Sequence, residues 1–494
     1  DDGFVAYMNG VEIARRNAPG ETGVALPFDA TATRTRSDDL AIAGEVIDVS
    51  GALNTLVAGS NVLGFHLLNA SSDNPDLLLM PQMTGSTITV DPSVNGYLVT
   101  ATPGKNNNPV SESLGPLVHD VDHTPAQPGE ADAVTITAEV FRTLADVAKV
   151  ELIYRSMYDD EVTIPMTDNG QGGDEAAGDG VYTAVIPAGV SQPGEMLRWY
   201  VRATDATEVA GRLPTFEIQS GQNQSPEYLG TMIADPTITS EIPIIHWFVE
   251  NESGAGTDRG SRASLYFNGE FYDNLFSRAR GGSTQGRPKN NFKFDFTGDT
   301  FRFDEQYPRV EEFNLNSTAS DKAYVRQALS FDAYSAVGAP GSLSFPMHVR
   351  RNDEFYGVFV FIEEPDEEML EREGLDRNGA LYKVYNEFTS ASNVRKKTRE
   401  FEGNTDLDTF IKDVRALEGE ELRHYLFDNV ALPEMLNYLV GTVLVHQNDN
   451  PHKNHFLYRD SEGTREWMFI PWDNDLSWGS NWVGTSYSDQ IYAD

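Results

Sequence analysis

Apolar residues recur at every second position through much of the first half of the chain. Near the N-terminus, "GFVAYMNGVEIARR" alternates on both sides of Asn9-Gly10, a dipeptide suited to a two-residue hairpin turn, and predicts two paired strands. "NTLVAGSNVLGFHLLNAS" predicts a loop followed by a strand with a polar end. Residues 91–116 are rich in Pro, Asn, Ser and Gly and read as a linker. Between 117 and 220, "AVTITAEVF", "VAKVELIYRS", "GVYTAVIPAG" and "MLRWYVRATDATEVAGR" are spaced strands of period two, the pattern of a sandwich. At about Thr237 the pattern changes to mixed helix and strand.

In this second half, "SLYFNGEFYDNLFSRARGGSTQGRPKNNFKFDF" predicts strands joined by a turn at Asn268-Gly269 and by the small-residue loop 281–286. On the last of them Phe292, Phe294 and Phe296 share one face, with Lys293 and Asp295 on the other. "SDKAYVRQALSFDAYSAVG" predicts a helix capped by Ser320 and closed by Gly338. Two strands follow around Asn352-Asp353, ending in Glu363-Glu364, and "GALYKVYNEF" adds another. "TDLDTFIKDVRAL" places Leu407, Phe410, Ile411, Val414 and Leu417 at helical spacing after Thr405. The helix "LPEMLNYLVGTVLVH" is expected to bury Met435, Leu436, Leu439, Val440, Val443 and Leu444.

Charge narrows the partners. Acidic residues outnumber basic ones 76 to 37, for a net charge of −39 at 494 residues. Nucleic acid and anionic lipid would be repelled by such a surface. With no cysteine, disulfides and thiol chemistry are excluded, and no run is apolar enough to span a membrane. The 39% hydrophobic content is sufficient for packed cores. The start, Asp1-Asp2-Gly3, lies within a strand pattern and reads as a fragment or processed form lacking any signal peptide.

Chemistry concentrates near the C-terminus. In "HQNDNPHKNHFLYRD" Asp449 and Asn454 are five residues apart, the spacing that phosphoryl-transfer loops use for a hydroxyl-orienting Asp and a metal-holding Asn. A hairpin around Glu462-Gly463 then delivers Asp473 and Asp475 among Trp472, Leu476 and Trp478, where a carboxylate needs a cation or donors. Turn chemistry accounts for residues 460–463 on its own. A metal-hydrolase alternative would use His446, Asp449, His452, His455 and Asp473, although no helix aligns the histidines. In the sandwich region, Asp168, Asp174 and Asp179 stand among glycines; they form either a calcium-holding loop or a solvated acidic turn.

These segments carry three resemblances. "DDGF…Y…NG" with "GSNVL" resembles the end of a galactose-binding-like jelly roll over residues 1–90, and 117–220 resembles an immunoglobulin-like sandwich. "RARGG…KNNFKFDF", "FYGVFVFIEEPD", "GALYK", "HQNDNPHKNHFLYRD" and "FIPWDNDLSWG" resemble the CotH (spore-coat protein H) kinase family across 242–494. The fold implied is multidomain: all-β sandwich modules, then an α+β atypical protein-kinase-like domain that stops short of its last helices. The resemblance implies a secreted or cell-surface kinase moving the γ-phosphoryl of ATP to Ser or Thr of a protein, with Mg²⁺ or Mn²⁺. It makes Asp449 the catalytic Asp, Asn454, Asp473 and Asp475 metal ligands, Arg280 and Lys293 phosphate-side cations, and Lys383 a residue of the nucleotide pocket. The helix over 321–337 lacks a Glu to pair with Lys293. The alternative is a surface adhesin or scaffold that binds partners, including glycan or envelope material, without turnover.

Overall fold

The computed structural model describes residues 2–74, 77–85, 115–216, 225–282, 289–298, 300–318, 321, 323–385, 389–448 and 454–479. Asp449, His452 and Ser320, most of the 91–116 linker and most of the 281–286 loop lie outside these residues. The chain forms two compact units, Asp1–Val94 and Asn95–Asp494.

In the first unit, β1 (Gly3–Met8) and β2 (Val11–Arg16) form an antiparallel hairpin. Asn9 and Gly10 turn it at φ 51° and 83°, where Gly carries no steric penalty. β3 (Leu63–Leu68) pairs with the other edge of β1, and a short helix α1 (Asp38–Ala43) lies between.

The second unit begins with eight strands: β4 (Leu117–Thr124), β5 (Val134–Phe141), β6 (Val147–Ser156), β7 (Val162–Met166), β8 (Val181–Ile186), β9 (Met196–Asp205), β10 (Ala210–Leu213) and β11 (Leu229–Met232). They form two antiparallel sheets, β4-β5-β8 and β10-β9-β6-β7, with β11 also on β9. Alternate residues of both sheets meet in one core. Val134, Ile136 and Ala138 come from β5, Val150 and Leu152 from β6, and Trp199 and Val201 from β9. The period-two pattern thus has a direct cause: each strand gives one face to that core.

A closed barrel follows. Its strands are β12 (Ile244–Phe248), β13 (Ser261–Phe267), β14 (Glu270–Arg280), β15 (Asn291–Asp295), β16 (Glu312–Asn316), β17 (Ser344–Arg351) and β18 (Glu354–Glu363). The order is β12-β13-β14-β15-β16-β18-β17, and a parallel β12–β17 pairing closes the ring. Helix α2 (Glu252–Ala255) follows β12, and α3 (Arg326–Ala336) precedes β17. Rings fill the interior: Trp247 meets Phe292 edge-on at 4.8 Å, and Phe301 meets Phe313 at 4.5 Å. Phe292, Phe294 and Phe296 all face this core, so Lys293 and Asp295 face outward, as their alternation requires. α3 begins later than its sequence pattern suggests, because buried Asp321 accepts the Arg326 backbone N–H at 2.7 Å and fixes the entry.

The last layer is a four-stranded sheet with helices. α4 (Glu367–Arg372) leads to β19 (Ala380–Val384) and β20 (Val394–Lys396). Helices α5 (Thr405–Ala416), α6 (Gly419–Asn429) and α7 (Leu432–Leu444) come next, then β21 (His455–Arg459) and β22 (Trp467–Pro471). The sheet order is β20-β19-β21-β22. The burial expected for α7 is corrected here. Leu436, Leu439, Val440, Val443 and Leu444 are exposed and Met435 only partly buried, while Tyr438, Gly441 and Thr442 face inward. Close contact with α3 selects this small-residue face: Tyr334 stacks on Tyr438 at 5.7 Å and bonds Thr442 at 2.9 Å.

Candidate active site at the barrel–sheet seam

The outer wall of the barrel presents a row of charges. Register sets Arg278 opposite Lys293 and Lys293 opposite Asn314, with Glu312 opposite Asp295. The Lys293 ammonium pairs with Glu312 and lies 3.5 Å from Asp295. Thus the acidic partner of Lys293 comes from the neighbouring strand β16 rather than from a helix. A second lysine, Lys397, follows β20 in the sheet and reaches Glu312 at 3.0 Å and Glu364 at 3.1 Å.

Glu364 is the hub. It sits one residue past the end of β18, is 4% exposed, and accepts the Asn314 amide at 2.6 Å. Burial pushes its carboxyl up, yet the charges of Lys383, Lys397, Lys293 and Arg280 hold it well below the usual carboxylate range. Lys293 and Arg280 come from the barrel; Lys383 and Lys397 come from the sheet region. Lys383 is half-buried, and desolvation pulls its ammonium down to about 8 against the opposing charge of Glu364. Asp473 also acts on it. Its Nζ lies 4.7 Å over the Trp472 ring, and Arg280 faces the same ring at 5.4 Å.

The sheet brings further groups to this place. His455 pairs with Pro471 and with Val384, so Asn454 before β21, Asp473 after β22 and Lys383 on β19 all stand at one end of the sheet. Asn454 and Asp473 have φ of 61° and 53°, and His446 and Trp478 have 51° and 52°. Non-glycine residues in this region hold strain that the surroundings must enforce. The enforcement is visible: Asn448 N–H donates to Leu476 at 2.9 Å and Trp478 N–H to Val445 at 2.7 Å. Buried Gln447 donates to the Asn474 side chain at 2.7 Å and to the Asp473 carbonyl at 3.2 Å. The segment leading toward 449 is therefore laced to the 473–478 turn. Asp475 lies in that turn, half-buried like Asp473.

The structure thus assembles Arg280, Lys293, Lys383 and Asp473 at one seam and puts Asn454 at the same sheet end. His455 lies buried within the sheet, its ring edge-on to Phe469 at 4.8 Å. Sequence reasoning missed Glu312, Glu364, Asn314 and Lys397. Glu364 carried a visible signal, an acid after the apolar run Val358–Ile362, where an unpaired charge would be costly. The donor set suits the groups that the resemblance implies. Carboxylate and amide oxygens are hard ligands for Mg²⁺, and clustered cations suit phosphate.

Residues 277–493 match the family model described as CotH kinase protein. The inner spore coat protein H of Bacillus subtilis (strain 168) is 25% identical in an alignment of 184 residues that covers 34% of this chain and 51% of that protein. The chain therefore spans about half the length of this curated relative. A crystal structure of a Bordetella pertussis protein described as ApaA is 16% identical over 25% of this chain and 95% of its own, with a TM-score of 0.15. That likeness carries no argument. Residues 277–493, the stretch that the family model matches, hold the Glu364 hub and the Asn454–Asp473 sheet end.

Proposed function

We propose that the seam is the active site of an ATP-dependent protein kinase acting on Ser or Thr hydroxyls. The observation that carries this reading is the convergence of Arg280, Lys293, Lys383 and Lys397 on buried Glu364, beside Asp473 and Trp472. Clustered cations beside hard-oxygen ligands meet the demand of phosphoryl transfer, which is mostly positioning and charge neutralisation. Lys293, Lys383 and Arg280 hold the phosphates. Asp473 and Asn454, with Asp475 as a further ligand, hold Mg²⁺ or Mn²⁺, which when bound offsets phosphate charge. Asp449 orients the acceptor hydroxyl and takes its proton as the bond from phosphorus to the ADP oxygen gives way to one with the hydroxyl oxygen. A secreted or cell-surface setting is part of the same proposal.

Incubation with labelled ATP, Mg²⁺ or Mn²⁺ and a Ser-rich protein acceptor tests the reading. Label should reach acceptor hydroxyls and be lost in Asp449→Ala and Asp473→Ala. Nucleotide binding without transfer under either metal would replace the kinase with a binding scaffold. Hydrolysis lost in His452→Ala but indifferent to Lys293→Met would replace it with a metal hydrolase.

A further inference from the structure

A separate feature of the sandwich stands apart from the kinase reading. Strand β7 passes to β8 through a loop in which Asp168, Asp174 and Asp179 are spaced by glycines. Gly170, Gly172, Gly173, Gly178 and Gly180 all have positive φ, so the backbone folds back on itself repeatedly. One carboxylate oxygen from each of the three Asp residues lies within 4.8 Å of the others. Backbone amides fix the side chains. Asp168 accepts from Gly178, Asp179 and Gly180, and Asp179 accepts from Val181 at 2.9 Å.

Asp174 supplies an independent observation. It is 7% exposed, and its Oδ2 accepts the N–H groups of Asn169 and Gly170 at 2.5 and 2.6 Å. Its Oδ1 is sealed from solvent and has no hydrogen-bond partner among the described residues. Oδ1 therefore carries no hydrogen bond that a ligand would have to share. A buried carboxylate oxygen without a donor, beside two further acids, is unfavourable unless a cation meets it.

We infer that Asp168, Asp174 and Asp179 hold a calcium ion that pins the two sheets of the sandwich together. The donors are all carboxylates, with no His or Cys among them, which favours a hard cation. Ca²⁺ bonds oxygen at about 2.3–2.6 Å, so ligands on opposite sides of it stand roughly 5 Å apart, a span this cluster allows. Mg²⁺, at about 2.0–2.1 Å, demands a tighter octahedron. Because β7 belongs to one sheet and β8 to the other, the ion would close the sandwich where the strands change sheets. Outside the loop, Thr167 and Thr183 make a lone bridge between those strands.

Terbium luminescence on the chelator-treated full chain provides the test. Tyr182, on β8, feels the charge of Asp168 and is placed to sensitise the ion. Saturable emission should appear and be displaced by Ca²⁺, with an apparent Kd of about 10⁻⁴–10⁻³ M, and Ca²⁺ should raise the melting temperature. Asp174→Asn and the surface change Asp179→Asn should each weaken binding by about tenfold or more, since ligand charge tunes affinity. Asp473→Asn should leave this signal intact. No saturable binding at millimolar Ca²⁺ would overturn the inference. So would folded Asp174→Asn and Asp179→Asn proteins that bind like the parent, or loss of the signal in Asp473→Asn alone.

Discussion

Lys383 holds its ammonium over the Trp472 ring while burial draws it down to about 8. A phosphate ligand needs that charge, so nucleotide affinity should fall as pH rises through about 8. Titration with a fluorescent nucleotide at about pH 7 and about pH 9 checks this, and Lys383→Met should bind weakly at both. Stability moves the other way. The unfolded lysine holds its proton up to about 10.4, so the folded chain gains stability between about 8 and 10.4. His246 on β12 gives the acid counterpart. Burial, then the charges of Arg350 and His348, pulls its imidazole down to about 4, and its Nδ1 has no partner among the described residues. Below about 6.5 the unfolded histidine binds a proton that the folded one refuses, so stability should drain away by about 3 kcal/mol as pH falls toward 4. Denaturant melts of His246→Gln against the parent should show a flatter acid limb.

At the scale of elements, the crossing of α3 and α7 is set by Gly441. A Cβ there would meet the Tyr334 ring at 2.4 Å, inside any allowed contact. Gly441→Ala should therefore destabilise by about 1–3 kcal/mol, read as a lower denaturation midpoint with unchanged slope. This contact also explains what the sequence could and could not reveal. The Asn9-Gly10 turn, the Phe292–Phe296 alternation and the α5 face were readable because a few neighbouring residues determine them. The inner face of α7 was not, since apolar residues surround that helix and the partner helix selects Gly441 and Thr442 over the leucines. Glu312, Glu364 and Lys397 escaped for a related reason. Their meeting with Lys293 and Lys383 depends on strand pairings and a seam between segments far apart in sequence. Asn454 and Asp473 were readable as a pair because a single hairpin joins them.

Across the second unit, the sandwich does not hang free of the barrel. Arg198 on β9 lies 3.7 Å from Asp273 on β14, both buried, with its guanidinium between the Tyr158 and Tyr228 rings. Met196, Met232, Phe248 and Tyr266 share one apolar cluster across the join. Asp273 keeps the Glu227 and Tyr228 N–H groups and the Ser264 hydroxyl as donors, so Arg198→Ala, which removes its buried counter-charge, should cost about 1–3 kcal/mol. Calorimetry should then resolve the sandwich and the barrel as separate melting steps where the parent shows them coupled.

The acid at the seam also sets a threshold for whatever binds there. Glu364 already neutralises part of the field of its four cations, so an arriving anion meets a resident competitor rather than bare positive charge. A compact dianion such as monophosphate or sulfate reaches too few of those cations at once to displace it. A ligand spreading several negative charges along its length can engage them together, and the seam thereby ranks its visitors by how far their charge extends.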